Sequence, residues 1–136
     1  MTAKEYLLQI QGLEKELAAK RRTLTKLRDK SVALSSPKFG DKIQSCAMDN
    51  SHIIDKIIDI ETAIQEKELE LVGKISEISK SIECVCNPVF IAVLTDRYIN
   101  SLTLEQIAEK MNITDRTVSV WHGQALQLFR KETGLK

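Results

Sequence analysis

Residues 103–118, TLEQIAEKMNITDRTV, contain the pattern that decides the fold of the C-terminal part of the chain. Thr103 and Gln106 have the spacing of a capping box, which predicts the start of a helix. Asn112 interrupts that helix, because asparagine tolerates the left-handed backbone of a tight turn. Thr114 is a good cap for a second helix. A short helix, a three-residue turn and a longer helix form a helix-turn-helix layout.

Apolar spacing supports two helices that cross closely. Ala108 is the small residue that a close crossing needs, and the pairs Leu102 with Ile107 and Ile113 with Val118 stand at hydrophobic-staple positions. The second helix is predicted to run from residue 115 to about residue 131. Its predicted apolar face consists of Val118, Trp121, Ala125, Leu126 and Phe129.

The first two turns of this second helix are predicted to face outward. In helix-turn-helix proteins such positions enter the major groove, and amides at helix starts meet phosphates. The candidate DNA-binding residues are therefore Thr103, Thr114, Asp115, Arg116, Thr117, Ser119, Val120, His122 and Gly123. The alternative is an ordinary three-helix bundle whose polar face is solvated. A preceding helix, capped by Asn87 with Pro88 in its first turn, is predicted to stop near Asn100 and Ser101.

The N-terminal half is predicted to form two long helices. Thr2 and Glu5 make a capping box, and apolar residues at helical spacing follow as far as the turn-forming cluster 35–40. A second ladder is predicted to begin near Asn50–Ser51 and to end at Asn87–Pro88. The expected class is all-α: a long helical hairpin or coiled coil over 1–87, for oligomerisation or as a partner arm, and a helix-turn-helix domain over 88–136.

Charge favours pairing of the two long helices. Residues 1–50 carry ten basic and six acidic side chains, whereas residues 51–87 carry four basic and eight acidic ones. The wide isoleucine face within 53–64 needs a further cover, which is either a second copy, giving a homodimer, or the C-terminal domain. The basic cluster formed by Lys20, Arg21, Arg22, Lys26, Arg28 and Lys30 adds contacts to a DNA backbone or pairs with the acidic second helix.

Several functional classes are disfavoured by composition. The five glycines are scattered and form no phosphate-binding loop, and neither histidine has the neighbours of a catalytic site, so no enzymatic activity is expected. Three cysteines without a second pair at ligand spacing predict neither a metal site nor a disulfide framework, and no cofactor is expected. The chain has no apolar run that spans a bilayer and opens without an apolar signal core, so a cytoplasmic protein is expected.

The stretch Thr103–Val118 resembles region 4 of the sigma-70 family of bacterial transcription initiation factors. The likeness extends back to Leu94 and Arg97–Tyr98 and onward to Ala125–Leu126 and Phe129–Arg130, about the last forty residues. The remainder of the chain, with its long helices and its opening residues 2–7 (TAKEYL), resembles small bacteriophage proteins that join a helical N-terminal half to such a domain. Val118, Trp121–Gly123 and Ala125–Leu126 are similar to them in particular, and some of these relatives are the ArpU-like regulators of late phage genes. The resemblance implies a DNA-binding regulator of a bacterial host cell that binds promoters, with RNA polymerase as a further partner.

The resemblance also implies that the start of the last helix reads DNA through charged side chains. Asp115, Arg116 and Ser119 occupy those positions, and only Arg116 is basic, so the usual target of the family does not carry over. Residues 88–136 hold six basic and five acidic side chains. Because counterion release supplies most of the affinity, one copy is expected to bind weakly, at about micromolar Kd.

Two other functions fit a helix-turn-helix joined to long helices. One is the small subunit of a phage DNA-packaging machine, although in such proteins the DNA-binding module usually comes first in the chain. The other is a protein-interaction module without DNA, such as an anti-sigma-like or scaffolding protein. The near-neutral charge of residues 88–136 is compatible with the second.

Overall fold

The computed structural model describes residues 1–35 and 43–136 of the chain, with side chains at 1–33 and 51–136. Within these ranges the regular structure is helical, without a strand, which confirms the predicted all-α class. No helix in this part of the chain is long and apolar enough to cross a membrane. The helices are α1 (Ala3–Ser35), α2 (Ile43–Glu83), α3 (Pro88–Leu94), α4 (Leu104–Met111) and α5 (Asp115–Thr133), and a π-helical turn (Thr95–Ile99) follows α3.

The boundaries of α2 differ from the prediction. It begins at Ile43 rather than near Asn50, because asparagine and serine cap helices well but are also tolerated inside them. It ends at Glu83, before the predicted stop, and Cys86 then adopts a left-handed backbone with φ 60°. Asn87 is extended and caps α3 as predicted. The turn predicted at 35–40 lies, apart from Ser35, outside the described residues.

Residues 14–70 form one compact unit, in which α1 and α2 run antiparallel. Arg21 bonds to Glu68 at 2.7 Å and Arg28 bonds to Glu61 at 2.6 Å, so the basic helix pairs with the acidic one within a single chain. Exposed ion pairs of this kind contribute little, and apolar burial holds the pair together. The buried residues of this seam are Leu17, Leu24 and Ile64.

Residues 1–13 and 71–136 form the second compact unit. Here the first turns of α1 and the last turns of α2 pack with α3 and α5 around one core. The predicted capping box at the start of α1 is present, with Glu5 N donating to Thr2 Oγ1 and Thr2 N to Glu5 Oε2. The boundary predicted between residues 87 and 88 stays a prediction. The buried core consists of Ala3, Leu7, Ile10, Ile78, Ile82, Val85, Leu94, Tyr98, Ala125, Leu126 and Phe129.

A smaller cluster holds α4 against α5. Ile107, Ala108 and Val118 are buried at its centre, and Leu102 and Ile113 of the two predicted staples pack against them. Leu104 and Met111 complete the cluster. Ala108 is 2% exposed, which agrees with its predicted role as the small residue at the crossing.

The apolar face of α5 is confirmed except at Trp121. Val118, Ala125, Leu126 and Phe129 are buried, whereas Trp121 is only half-buried. The reason lies in helical geometry: residues 118, 122, 125 and 129 follow one another at intervals of four, three and four, which places His122 inside the face and Trp121 at its flank.

Truncating the Phe129 side chain is therefore expected to lower stability more than truncating the Trp121 side chain. Phe129 is fully buried, so Phe129→Ala should lower the free energy of unfolding by about 3–5 kcal/mol. Trp121→Ala should cost about 1–2 kcal/mol, because its side chain already meets solvent. Both losses are measured by urea denaturation monitored by circular dichroism. Tryptophan fluorescence is unsuitable, because the Trp121→Ala variant contains no tryptophan. Equal losses would contradict the burial of this face.

Candidate DNA-binding site

The start of α4 is held by a complete capping box. Thr103 Oγ1 accepts from Gln106 N at 3.2 Å, and Gln106 Oε1 accepts from Thr103 N at 2.9 Å. Two backbone amides are thereby satisfied without help from solvent. The Thr103 side chain is exposed, so the helix start lies at the surface as predicted.

The turn between α4 and α5 has the predicted conformation. Asn112 is left-handed, with φ 57° and ψ 44°, and Ile113 N donates to Ala108 O at 3.0 Å. Thr114 Oγ1 accepts from Thr117 N at 3.1 Å and caps α5. Because both helix ends are fixed by hydrogen bonds, the angle between α4 and α5 is set by local chemistry as well as by packing.

Most of the predicted DNA-binding residues lie at the surface of the domain. Thr114 is exposed, and the half-buried Thr117 shares a hydroxyl hydrogen bond of 2.7 Å with it. A Cβ built on Gly123 would meet no atom within 4 Å, so this point of the helix can approach another molecule closely. The residues that α5 exposes on one outward side are Asp115, Arg116, Ser119, Val120 and Gly123.

His122 is placed differently from the other candidates. It is half-buried, and its Nε2 lies 2.9 Å from Tyr98 Oη, with the two rings stacked at a centroid distance of 5.7 Å. This imidazole contacts Tyr98 of the π-helical turn. The outward position predicted for His122 is not what the structure shows.

Burial affects the protonation of this pair. Burial first, and then the positive charges of Arg97 and Lys4, hold the pKa of His122 below its usual value of 6.5. Burial raises the pKa of Tyr98, which Arg97 and Arg130 partly offset. His122 is consequently neutral at neutral pH, with one ring nitrogen free to accept and the other to donate.

Two charged residues of the π-helical turn position α4, a role that was not predicted from the sequence. Asp96 is 7% exposed, and its carboxylate binds Lys110 Nζ at 3.2 Å and Asn100 Nδ2 at 3.0 Å. Arg97 donates to Leu102 O at 3.3 Å, just before α4 begins. The available signal was a carboxylate close to the apolar run 88–94, because such a group is buried only with partners.

A helix-turn-helix with capped helices and an exposed outward side of α5 is the architecture of a DNA-binding domain. Residues 91–131 match the family model described as sigma-70, region 4, a DNA-binding and not an enzymatic family. This part of the chain is thus a DNA-binding helix-turn-helix domain similar to that region. Searches among curated proteins and among solved structures found no match. Among the residues with described side chains, no three histidine, cysteine or acidic groups come together as a metal site.

The half-buried His122 makes stability depend on pH. A pKa that is lower in the folded than in the unfolded chain means that the unfolded state binds the proton more tightly, so stability is complete above about pH 6.5 and falls as the pH drops. We expect the free energy of unfolding to decrease from about pH 7 to pH 5, and to decrease less in His122→Gln.

NMR titration of the imidazole signals provides the direct measurement. The signal that His122→Gln removes should have a midpoint below 6.5. Tyr98→Phe is the companion variant, because it removes the hydroxyl partner and keeps the ring. A midpoint at or above the usual value would contradict the burial of His122.

Proposed function

We propose that the chain is a sequence-specific, double-stranded-DNA-binding transcription regulator that acts at promoters. The observation that carries the proposal is the exposed side of α5, with Arg116 and Ser119 at its first turns, in a domain that matches sigma-70, region 4. Recognition helices of this motif insert their N-terminal residues into the major groove. The proposal includes no catalytic step, cofactor or metal.

Each exposed group of α5 has a proposed contact. Arg116 reaches the O6 and N7 atoms of a guanine, Ser119 bonds to a base or phosphate, and Val120, at 51% exposure, contacts a thymine methyl group. Gly123 lets the backbone approach the duplex. Asp115 repels phosphate and so disfavours sites that bring the backbone close to it. His122 is proposed to orient α5 through Tyr98 rather than to touch DNA.

Phosphates are proposed to bind at the two capped helix starts. The amides that follow Thr103 and Thr114 carry the positive end of a helix dipole. Both residues are exposed, which supports their access to a duplex. Thr117 contributes through its hydroxyl contact with Thr114 by keeping that cap in place.

Weak intrinsic affinity calls for a second attachment. Residues 88–136 have a net charge of only +1, so few counterions are released by this domain alone. We infer that RNA polymerase holds the protein at its promoter, as the resemblance to sigma factors implies. The resemblance to small phage regulators likewise leads us to propose a phage or prophage origin and action in the cytoplasm of a bacterial host.

A homodimer through the N-terminal helices is proposed as a further source of affinity. α2 exposes Ile54, Ile58 and Leu69 on one side, and Leu69 is 74% exposed. These exposed apolar side chains, with the polar Thr62 and Gln65 between them, can pack against the same side of a second copy, because a twofold contact needs only one self-complementary patch. Two copies would bring two reading helices to one site.

Arg116→Ala tests the reading helix. It should lower the preference for the specific site over a scrambled duplex by about 1–3 kcal/mol, which is roughly a 5- to 150-fold change in relative Kd. The specific site is first obtained by capturing genomic fragments with the full chain, with and without RNA polymerase. Fluorescence anisotropy then compares the two duplexes.

Lys131→Ala is the matched control, since it removes one exposed positive charge from the last turn of the same helix. It should weaken binding to both duplexes alike and leave the preference unchanged. Enrichment of a packaging site only, or no enrichment of DNA, would refute the promoter-binding function. An equal effect of the two variants on the preference would refute the role of Arg116.

Leu69→Glu tests the dimer. Burying a carboxylate in the proposed apolar contact is costly, so the variant should remain monomeric at concentrations where the wild-type chain is dimeric. Sedimentation velocity over a hundredfold concentration range measures this. Thr25→Glu, which adds the same charge at an exposed position of α1, should not alter the association. A monomeric wild-type chain would exclude the dimer.

A further inference from the structure

We propose that the outer face of α1 is a second DNA-binding surface that contacts the phosphate backbone without reading sequence. It consists of Lys15, Arg22, Lys26 and Lys30, named here the outer basic face. This inference rests on the proposed DNA-binding function. It assigns to the long helices a part in DNA binding besides self-association.

The outer basic face follows from helical periodicity. Its four residues are separated by seven, four and four positions, so they share one side of α1 over about 22 Å at 1.5 Å per residue. All four are exposed. Leu17 and Leu24, which are buried against α2, lie on the opposite side of the helix. The cations thus point away from the seam of the hairpin.

The cations of α1 between residues 15 and 30 have three different environments. Arg21 and Arg28 flank the seam and are neutralised by Glu68 and Glu61. Lys20 lines a shallow cleft with Ile60 of α2. The four residues of the outer basic face make no hydrogen bond or ion pair with any residue whose side chain is described. Three carboxylates are adjacent in sequence to residues of this face: Glu14 and Glu16 flank Lys15, and Asp29 precedes Lys30.

The chemistry of this face favours phosphate over other anionic partners. A membrane-surface helix needs large apolar side chains free to enter the lipid, whereas the apolar side of α1 is already buried against α2. A protein interface needs aromatic or aliphatic anchors at its centre. The exposed uncharged residues between Lys15 and Lys30 are Ala19, Thr23 and Thr25, and no aromatic residue occurs in this stretch. A row of cations without apolar anchors binds closely spaced phosphates well.

The expected contribution is large enough to offset the near-neutral C-terminal part. Each phosphate contact changes the slope of log K against log salt by about −0.9. Four contacts would give a slope of about −3.6, which weakens binding by about 150-fold between 50 and 200 mM salt. Few such contacts are available from residues 88–136, which hold six basic and five acidic side chains.

The experiment compares two charge-matched double variants of the full chain. Arg22→Gln/Lys26→Gln removes two positive charges from the outer basic face, and Arg21→Gln/Arg28→Gln removes two from the seam. Kd is measured by fluorescence anisotropy at several salt concentrations, on the specific duplex and on a scrambled one. Circular dichroism and urea denaturation verify that each variant keeps its helices.

The outer double variant should make the salt slope shallower by about 1.8 and weaken binding to both duplexes by the same factor. The seam variant should keep the wild-type slope. An unchanged slope in the outer variant, or equal changes in both variants, would overturn the proposal. So would loss of RNA polymerase recruitment at an unchanged DNA slope, since the face would then contact protein.

The two functional proposals fail in distinguishable ways. If the wild-type chain binds no duplex, both are refuted. If it prefers its specific site and Arg116→Ala abolishes that preference while the outer double variant binds normally, only the outer basic face is refuted. Loss of preference in the outer double variant would also contradict this inference, because phosphate contacts carry no sequence information.

Discussion

The packing of one face of α5 is the constraint on which the rest of the C-terminal architecture depends. Val118, Ala125 and Phe129 are buried at helical spacing, and Phe129 is fully enclosed. A helix has one rotation about its axis at which this face is inside. Once that rotation is set, Arg116 and Gly123 must face outward. The packing of the core is therefore sufficient to expose the surface that is proposed to read DNA.

Polar contacts within and around this core make that rotation specific. His122 occupies a position in the buried ladder, where its Nε2 has a partner in Tyr98 Oη at 2.9 Å. A different rotation of α5 would leave one of these groups buried without a partner, at a cost of about 1–3 kcal/mol. Asp96 acts similarly for α4, because its pairing with Lys110 links the π-helical turn to that helix.

Features of the helices and the turn that depend on residues close together in the sequence were the most predictable ones. The caps at Thr103 and Thr114 and the left-handed Asn112 were predicted correctly, because each depends on neighbours within four residues. The α4–α5 cluster was also predicted, because the small residue at the helix crossing and the two staple pairs are recognised from local spacing in the sequence. The start of α2 at Ile43 was missed because a residue that caps well does not have to be a cap.

The errors in the site have a different origin. Trp121 was assigned to the apolar face and His122 to the outer face, whereas both are half-buried and the four-three-four spacing of residues 118, 122, 125 and 129 includes His122. The partners of Asp96 and Arg97 could not be assigned, because they lie 14 and 5 residues away, on α4 or just before it. Residue type predicts burial on average, but the phase of the helix decides it at a particular position.

The chain combines near-zero net charge with strong local segregation of charge, and this bears on its affinity for DNA. Twenty basic and nineteen acidic side chains would predict little attraction to a polyanion if they were evenly mixed. In α1 and α2 they are sorted: two glutamates of α2 pair with Arg21 and Arg28 beside the seam, while the four cations of the outer basic face are exposed on the opposite side of α1. Local charge, and not the net value, then sets the number of counterions that binding releases. In this arrangement α5, which has few cations, would supply the specificity for a DNA sequence, and the outer basic face of α1 would supply much of the affinity.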